Sequence, residues 1–582
     1  MKSEPWSLLV DTRRVGDSDA PSAKRGRLWD GIGRSAAGAD PYDLLTLALL
    51  AALTVVALLT FRDYAISNDE GVQHHYGELI IEYYRSGFRA RDLFSFQNLY
   101  LYGGLFDVVA VALAKVVPLH PFELRHILCA MTGIAGIAAS AATARLIAGP
   151  RAGLIAAAAL AVCGAWYGAM FNHTKDIPFA AAMMGATLFL VRMVRELPSP
   201  RLRDVLAFSL LAGLALGIRS LGLLLFVYLW LAIVVWLPWQ QSGTARLRFA
   251  GYSLLRTFPA VALPYLIMML AWPWAMLSPL NPIRGLLAFS EFHYAIRTVF
   301  AGQIYEMADV PRMYVPGYLL IRMPLITLLG AGLAMVSPLL QRRERDARQF
   351  SCDLAIVSLA VVFPLACQVA LHGPAFTGIR HFLFVLPPLA TLAGVGFDKA
   401  LSALEMRGRA LAYASVGLIA QCFLWETATL VKLHPYQNLS YNMLVGGLPG
   451  AYRRYDMDYW FNSMPEAIHQ LEAYVRAKDP AGPLQPQKVY SVAVCGERLS
   501  FDRNITLPQL RWDFGWTWEE SEFFIAPTHM NCDRDLDGEI VGTVERFGVP
   551  IAYVKDRRAI VKRPIATAAS PPFGQHTTRE EN

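Results

Sequence analysis

Asp69 and Glu70 stand side by side in Ser67-Asn68-Asp69-Glu70-Gly71, a few residues beyond the first long apolar run of the chain. A carboxylate pair placed where an apolar segment gives way to a loop points to chemistry at a bilayer surface. A further acidic residue, Asp176, follows His173 and Lys175 at the end of another apolar segment. Arg125, Arg219, Arg380 and His381 fall at other segment ends. Each of these residues also has a plain structural role open to it. Asp69 could cap a helix starting near Gly71 and Asp176 one starting at Pro178, and the cations could simply snorkel to an interface.

The elements that position these groups are membrane helices. The 582 residues are 55% hydrophobic and only 17% charged, which excludes an ordinary soluble globule. The run from Leu44 to Thr60 is long enough to span a bilayer. No small-residue cleavage site follows it, so it is expected to be retained as a first transmembrane helix. The net charge of +7 comes from basic residues spread among loops and forms no basic face, which argues against nucleic acid as a partner.

Positive charge is retained in short cytoplasmic loops, so its distribution sets the orientation. The basic set comprises the arm before residue 44, Arg145 to Arg151, Arg192 to Arg203, Arg246 to Arg256, Arg342 to Arg348 and Lys399 to Arg409. The intervening turns, near 172–176, at Arg219, and over 278–312 and 372–380, are placed outside. This parity requires about eleven spans. It also makes the segment from Gly104 to Leu119, which carries Asp107 and Lys115, a helix lying in the interface. The first external loop then covers 62–126, and Asp69-Glu70 and Lys175-Asp176 share the outer face.

The expected division is a cytoplasmic arm over 1–43, a membrane domain over 44–431, an extracytoplasmic α/β domain over 432–566 and a disordered tail over 567–582. Beyond His434 a helix is expected over 465–477, with strands over 489–494, 523–525 and 538–553. Cys129, Cys163, Cys352, Cys367 and Cys422 sit in apolar helices. Cys495 and Cys532 lie in the outer domain, where an oxidising compartment permits a disulfide between them.

Three motifs in this order, Asp69-Glu70 after the first helix, Phe171-Asn172-His173-Thr174-Lys175-Asp176-Ile177-Pro178, and Gly378-Ile379-Arg380-His381-Phe382 before a late helix, resemble those of the GT-C glycosyltransferases of family 39 type. That group includes protein O-mannosyltransferases and lipid A aminoarabinose transferases. His434-Pro435-Tyr436-Gln437, Gly446-Gly447 and Asp456-Met457-Asp458-Tyr459-Trp460 resemble a bacterial subgroup. The loop from 278 to 312 is too short for the large luminal domain that eukaryotic protein mannosyltransferases carry there.

The resemblance implies a mainly α, polytopic GT-C fold in a cytoplasmic (inner) membrane, with the site and C-terminal domain on the periplasmic or extracellular side. It implies transfer of a sugar from a polyprenyl-phosphate donor to a lipid, polysaccharide or protein acceptor. Asp69 is then the expected general base, with Glu70 and Asp176 as further catalytic carboxylates. Arg125, which matches a family arginine, leads the expected phosphate-binding set of His173, Lys175, Arg219, Arg380 and His381. No cofactor is obligatory on this reading. Should a divalent cation be bound, Asp69 and Asp176 are its expected oxygen ligands. A flippase for lipid-linked sugars and a non-catalytic membrane scaffold are the competing classes; a transporter usually shows internal repeats and paired broken helices near the midplane, whereas the charges here gather on one face and the sequence has no internal repeat.

Overall fold

The computed structural model of the chain describes residues 40–237, 243–290, 296–337, 345–482, 485 and 487–561. The expected disordered tail over 567–582, the arm up to residue 39 and part of the basic cluster at 342–348 lie outside the described residues. The chain is a multi-pass membrane protein of mainly α structure with a small C-terminal sheet domain. Among the described residues seven helices are long and apolar enough to cross a membrane, or nine spans if each of two bent pairs counts as one. The two remaining expected spans are the helices Leu202–Leu216 and Leu224–Trp236, of 15 and 13 residues. At 1.5 Å per residue they reach roughly 20 to 23 Å, short of a hydrocarbon core about 30 Å thick.

Burial sorts the helices into a centre and a periphery. Arg380–Glu405 and Asp176–Arg195 are almost wholly covered by protein, whereas Pro41–Asp63 and Arg409–Leu433 leave most of their apolar surface free. Lipid is the natural cover for that surface. Around the centre, Leu386–Glu405 packs on Pro121–Ala148, Pro150–Ala161 and Leu325–Val336, and Asp176–Arg195 packs on Pro121–Ala148 and Leu202–Leu216. Asp176 and Arg380 stand at the ends of the two covered helices.

The first external loop is largely helical. Asn68–Arg85 is an 18-residue helix with Ser67 as its N-cap. Leu105–Ala114, where the interfacial helix was expected, has only ten residues and cannot span. Its approach needs glycine: a Cβ on Gly103 would lie 2.0 Å from the Gly217 carbonyl oxygen. The Leu105 N–H bonds that same carbonyl at 3.1 Å, which docks the loop beside Arg219. The loop over 278–312 holds a helix, Asn281–Ser290, and a hairpin of β1 (Arg297–Phe300) and β2 (Gln303–Glu306). Ala301 and Gly302 both take positive φ at its turn, the backbone that two-residue hairpin turns require.

The C-terminal sheet contains β3 (Tyr490–Val494), β4 (Leu510–Asp513), β5 (Phe523–Pro527), β6 (Glu539–Arg546) and β7 (Val549–Asp556), in the order β4-β3-β5-β7-β6. β3 runs parallel to β4 and β5, and β7 runs antiparallel to β5 and β6. The single strand expected over 538–553 is therefore two. Phe547 and Gly548, both at positive φ, form the turn between them; the alternating pattern on either side hid a reversal that rests on one glycine. The helix Met464–Lys478 covers the sheet through Ile468, Leu471 and Val475.

Cys495 and Cys532 are joined in a disulfide, linking the end of β3 to the segment after β5. A cross-link of this kind typically contributes about 2–4 kcal/mol. Cys532→Ser is expected to lower the unfolding midpoint of the sheet domain, read by cysteine-accessibility labelling of buried sites along a denaturant series. An unchanged midpoint would contradict this.

Candidate active site

Asp69, Arg380, Asp176 and Arg219 form a line of alternating charge. Arg380 donates through Nη2 to Asp69 Oδ2 and through Nε to Asp176 Oδ2 at 3.1 Å, and Arg219 Nη2 donates to Asp176 Oδ1. The four come from four elements: the helix Asn68–Arg85, the turn Arg380–Val385, the helix Asp176–Arg195 and the stretch before Ser220. Asp176 occupies the first position of its helix, two residues earlier than the Pro178 start expected, at the positive end of the helix dipole. Its carboxylate is spent on two guanidinium groups.

Helix capping, the structural role open to Asp69, is filled by its neighbour. Glu70 accepts the Ser67 N–H at 2.8 Å, so one orphan donor at this helix end is satisfied without Asp69. Glu70 is fully buried and its second partner is His126 Nε2 at 3.2 Å. Glu70, expected as a further catalytic carboxylate, is held between the Ser67 N–H and His126. Asp69 has 36% of its side chain exposed, against 3% for Asp176. It is the more exposed carboxylate of this cluster.

Arg125 is a correction. Its side chain is completely buried, with Nη2 donating to Asp107 Oδ1 at 2.8 Å, Thr174 Oγ1 at 3.0 Å and Gln73 Oε1 at 3.2 Å. The side chain has no solvent-exposed surface there. Lys175 belongs to the same inner cluster: Nζ lies 3.5 Å from Asp107 Oδ2 and faces the rings of Tyr102 and Tyr76. Burial lowers its pKa, and the Asp107 carboxylate opposes that shift. Asp107 was passed over as an interfacial charge. The available signal was its place in an otherwise apolar run, since an ionisable residue at membrane depth is expected to be paired and functional.

His173 is held as a neutral ring. The Asn172 amide donates to Ala65 O and Asn462 Oδ1, which leaves Asn172 Oδ1 to accept from His173 Nδ1–H at 3.1 Å. His173 Nε2 then accepts from the Trp460 indole N–H at 3.0 Å and from the Tyr459 hydroxyl. This tautomer is assigned from the bonding network. Burial lowers the His173 pKa to about 3. The ring thus holds Tyr459 and Trp460 in place beside the cavity next to Arg380. Trp460 in turn lies under the Arg380 guanidinium, 4.4 Å from ring centroid to Cζ. The Asp456-Met457-Asp458-Tyr459-Trp460 segment is therefore a wall of the site. Asp458 accepts the Asn462 and Ser463 N–H groups and Asp456 accepts from Thr298 and the Val299 N–H, which fix both ends of that wall.

A narrow cavity opens beside Arg380, lined also by His173, Tyr459, Arg322 and Asn438. Arg322 ends the helix Tyr314–Arg322, donates to the Asn438 carbonyl and lies over the Tyr441 ring. Neither Asn438 Oδ1 nor Nδ2 has a partner in the protein, although the side chain is buried. A buried amide without partners is costly unless a ligand or water completes it. Glycine makes this arrangement: a Cβ on Gly168 would lie 2.3 Å from the Asn438 N. Arg322 and Asn438 were missed in the sequence because neither belongs to a recognisable spacing. His381 stands next to this group with its ring 4.7 Å from that of Phe376.

No protein-family model and no curated protein matches the chain. Among solved structures it is similar to ArnT from Cupriavidus metallidurans bound to undecaprenyl phosphate, at 14% identity and a TM-score of 0.45, over 91% of this chain and 100% of that one. It is also similar to the archaeal oligosaccharyltransferase AglB from Archaeoglobus fulgidus in complex with an inhibitory peptide and a dolichol-phosphate, at 12% identity and a TM-score of 0.45, over 83% of this chain and 69% of that one. A third is the arabinofuranosyltransferase AftD from Mycobacteria, at 13% identity and a TM-score of 0.40, over 87% of this chain and 39% of that one.

Proposed function

We propose that the protein is a GT-C glycosyltransferase that moves a sugar from a polyprenyl-phosphate donor to an acceptor hydroxyl or amine at the outer face of a cytoplasmic membrane. The observation that carries this reading is Arg380. One guanidinium holds Asp69, the more exposed carboxylate, and borders the cavity with the unpartnered Asn438 amide. On this reading one side chain serves both the base and the anion site.

The reaction follows from that placement. Asp69 takes the proton of the acceptor group as its oxygen or nitrogen attacks the anomeric carbon of the donor. The bond from that carbon to the phosphate oxygen breaks with its electron pair on the phosphate, and polyprenyl phosphate leaves from the opposite face, inverting the centre. Arg380 and Arg322 face the developing negative charge, where paired N–H groups on a planar fork suit a phosphate. Asp176, pinned by Arg380 and Arg219, positions Arg380. A divalent cation between Asp69 and Asp176 fits poorly, because the Arg380 guanidinium already bridges those two carboxylates. The motifs at Asp69-Glu70, Asp176 and Arg380 support the family; acceptor class is left open among glycolipid, polysaccharide and protein.

Native mass spectrometry of the purified protein with added polyprenyl phosphate tests the anion site. Wild type is expected to bind one lipid, and Arg322→Gln to weaken binding roughly tenfold, the loss of one charge-assisted contact. Equal binding by both proteins would contradict the placement of the phosphate.

A further inference from the structure

A second cavity, of about 470 Å³, lies between the sheet domain and the outer face of the membrane domain, and Asn68, the residue before Asp69, lines it. Its size falls in the range of small-molecule sites, roughly 300–1,000 Å³. Rings of Tyr459, Phe461, Trp512, Phe514 and Trp518 line it together with His529; no lysine or arginine is in the lining, and Arg498, which lies over the Phe514 ring at 5.7 Å, is paired with Asp502. The one carboxylate present, Asp458, is spent on two backbone N–H groups. The disulfide between Cys495 and Cys532 is part of the wall.

Among these rings are neutral donors that the protein leaves unused. The Trp512 indole N–H has no bonded partner among the described residues, although the ring itself packs edge-on to Phe501. His529 Nδ1 accepts the Met457 N–H at 3.3 Å, so its proton sits on Nε2, which bonds nothing in the protein. The Asn68 side chain is exposed. At the rim, Phe514 and Trp516 stack face to face, 4.8 Å apart, and Trp516 is 81% exposed. Two wall residues, Phe461 and Met530, hold positive φ, as does Asn531 beside Met530. Bulky residues in that region cost about 1–3 kcal/mol each and gather at ligand clamps.

Flat apolar faces interleaved with neutral donors, and no cation, match one chemistry. A sugar ring presents C–H faces that stack on aromatic rings and hydroxyls that take hydrogen bonds. A phosphate needs cations, which the lining lacks and of which Arg498 beside Phe514 is already paired with Asp502, and an acyl chain leaves its donors unpaired. We propose that this cleft binds a neutral saccharide unit of the acceptor and holds it beside Asp69. The assignment narrows the acceptor to a glycan-bearing molecule and rests on the transferase reading for its direction, though the binding itself does not.

Saturation-transfer NMR on the full-length protein in nanodiscs, with cellotriose, chitotriose, mannotriose and maltotriose as probes, tests it. At least one triose is expected to bind. Phe514→Ala, at an exposed rim position, is expected to weaken that binding roughly tenfold or more, as is Trp512→Phe, which keeps a packing ring but removes the N–H. Polyprenyl phosphate binding should be unchanged in both variants. No binding by any triose, or equal binding by wild type and variants, overturns the proposal. Displacement of the bound triose by inorganic phosphate at comparable concentration would also overturn it. Loss of lipid binding with triose binding intact would instead strike the transferase reading and leave the saccharide site standing.

Discussion

Asp69→Asn is expected to lower sugar transfer by roughly 100- to 10,000-fold, the range that a positioned general base contributes, with folding and polyprenyl phosphate binding close to wild type. The amide keeps the size of the side chain and can still accept from Arg380, but it takes no proton. The helix that carries it is not put at risk, because Ser67 and Glu70 form its cap. Arg380 also retains Asp176 as a partner at 3.1 Å. Radiolabelled transfer into the native acceptor fraction measures the effect. A folded Asp69→Asn protein with full transfer would move the base to another group and reduce Asp69 to a partner of Arg380.

Asp107→Ala is expected to cost stability on the order of 3–5 kcal/mol, the penalty typical of breaking a buried pair from one side. Asp107 is the carboxylate facing two buried cations, Arg125 at 2.8 Å and Lys175 at 3.5 Å. Its removal leaves both without a counter-charge in a space already short of acceptors, since Arg125 Nε and Nη1 have no partner. Thermal unfolding in detergent should show a midpoint well below wild type. Arg125→Ala is expected to destabilise as well, while the folded fraction binds polyprenyl phosphate normally. Weakened lipid binding by well-folded Arg125→Ala would return Arg125 to the anion site, where the family resemblance had placed it.

The two residues show what was legible in the chain. Asp69 and Arg380 could be brought to one face by counting charges along the loops, because orientation depends only on where lysine and arginine accumulate. Depth could not be read that way. Arg125 and Arg219 both fall at helix ends in the sequence, yet a short helix carrying Asp107 folds over Arg125 and shuts it in. His173, expected in the phosphate-binding set, is fixed by Tyr459 and Trp460, nearly 290 residues away. Contacts of that range leave no local pattern. Hydropathy likewise locates apolar runs but not the helices of 15 and 13 residues into which two of them fold.

The account stands most directly on the fate of the donor lipid in cells. Lipid extracts from a strain lacking this protein, analysed by mass spectrometry, are expected to accumulate a polyprenyl-phosphate sugar, which disappears on complementation with wild type and persists on complementation with Asp69→Asn expressed at the same level. Unchanged polyprenyl-phosphate sugars in all three strains would contradict the assignment of this protein as a transferase that consumes such a donor.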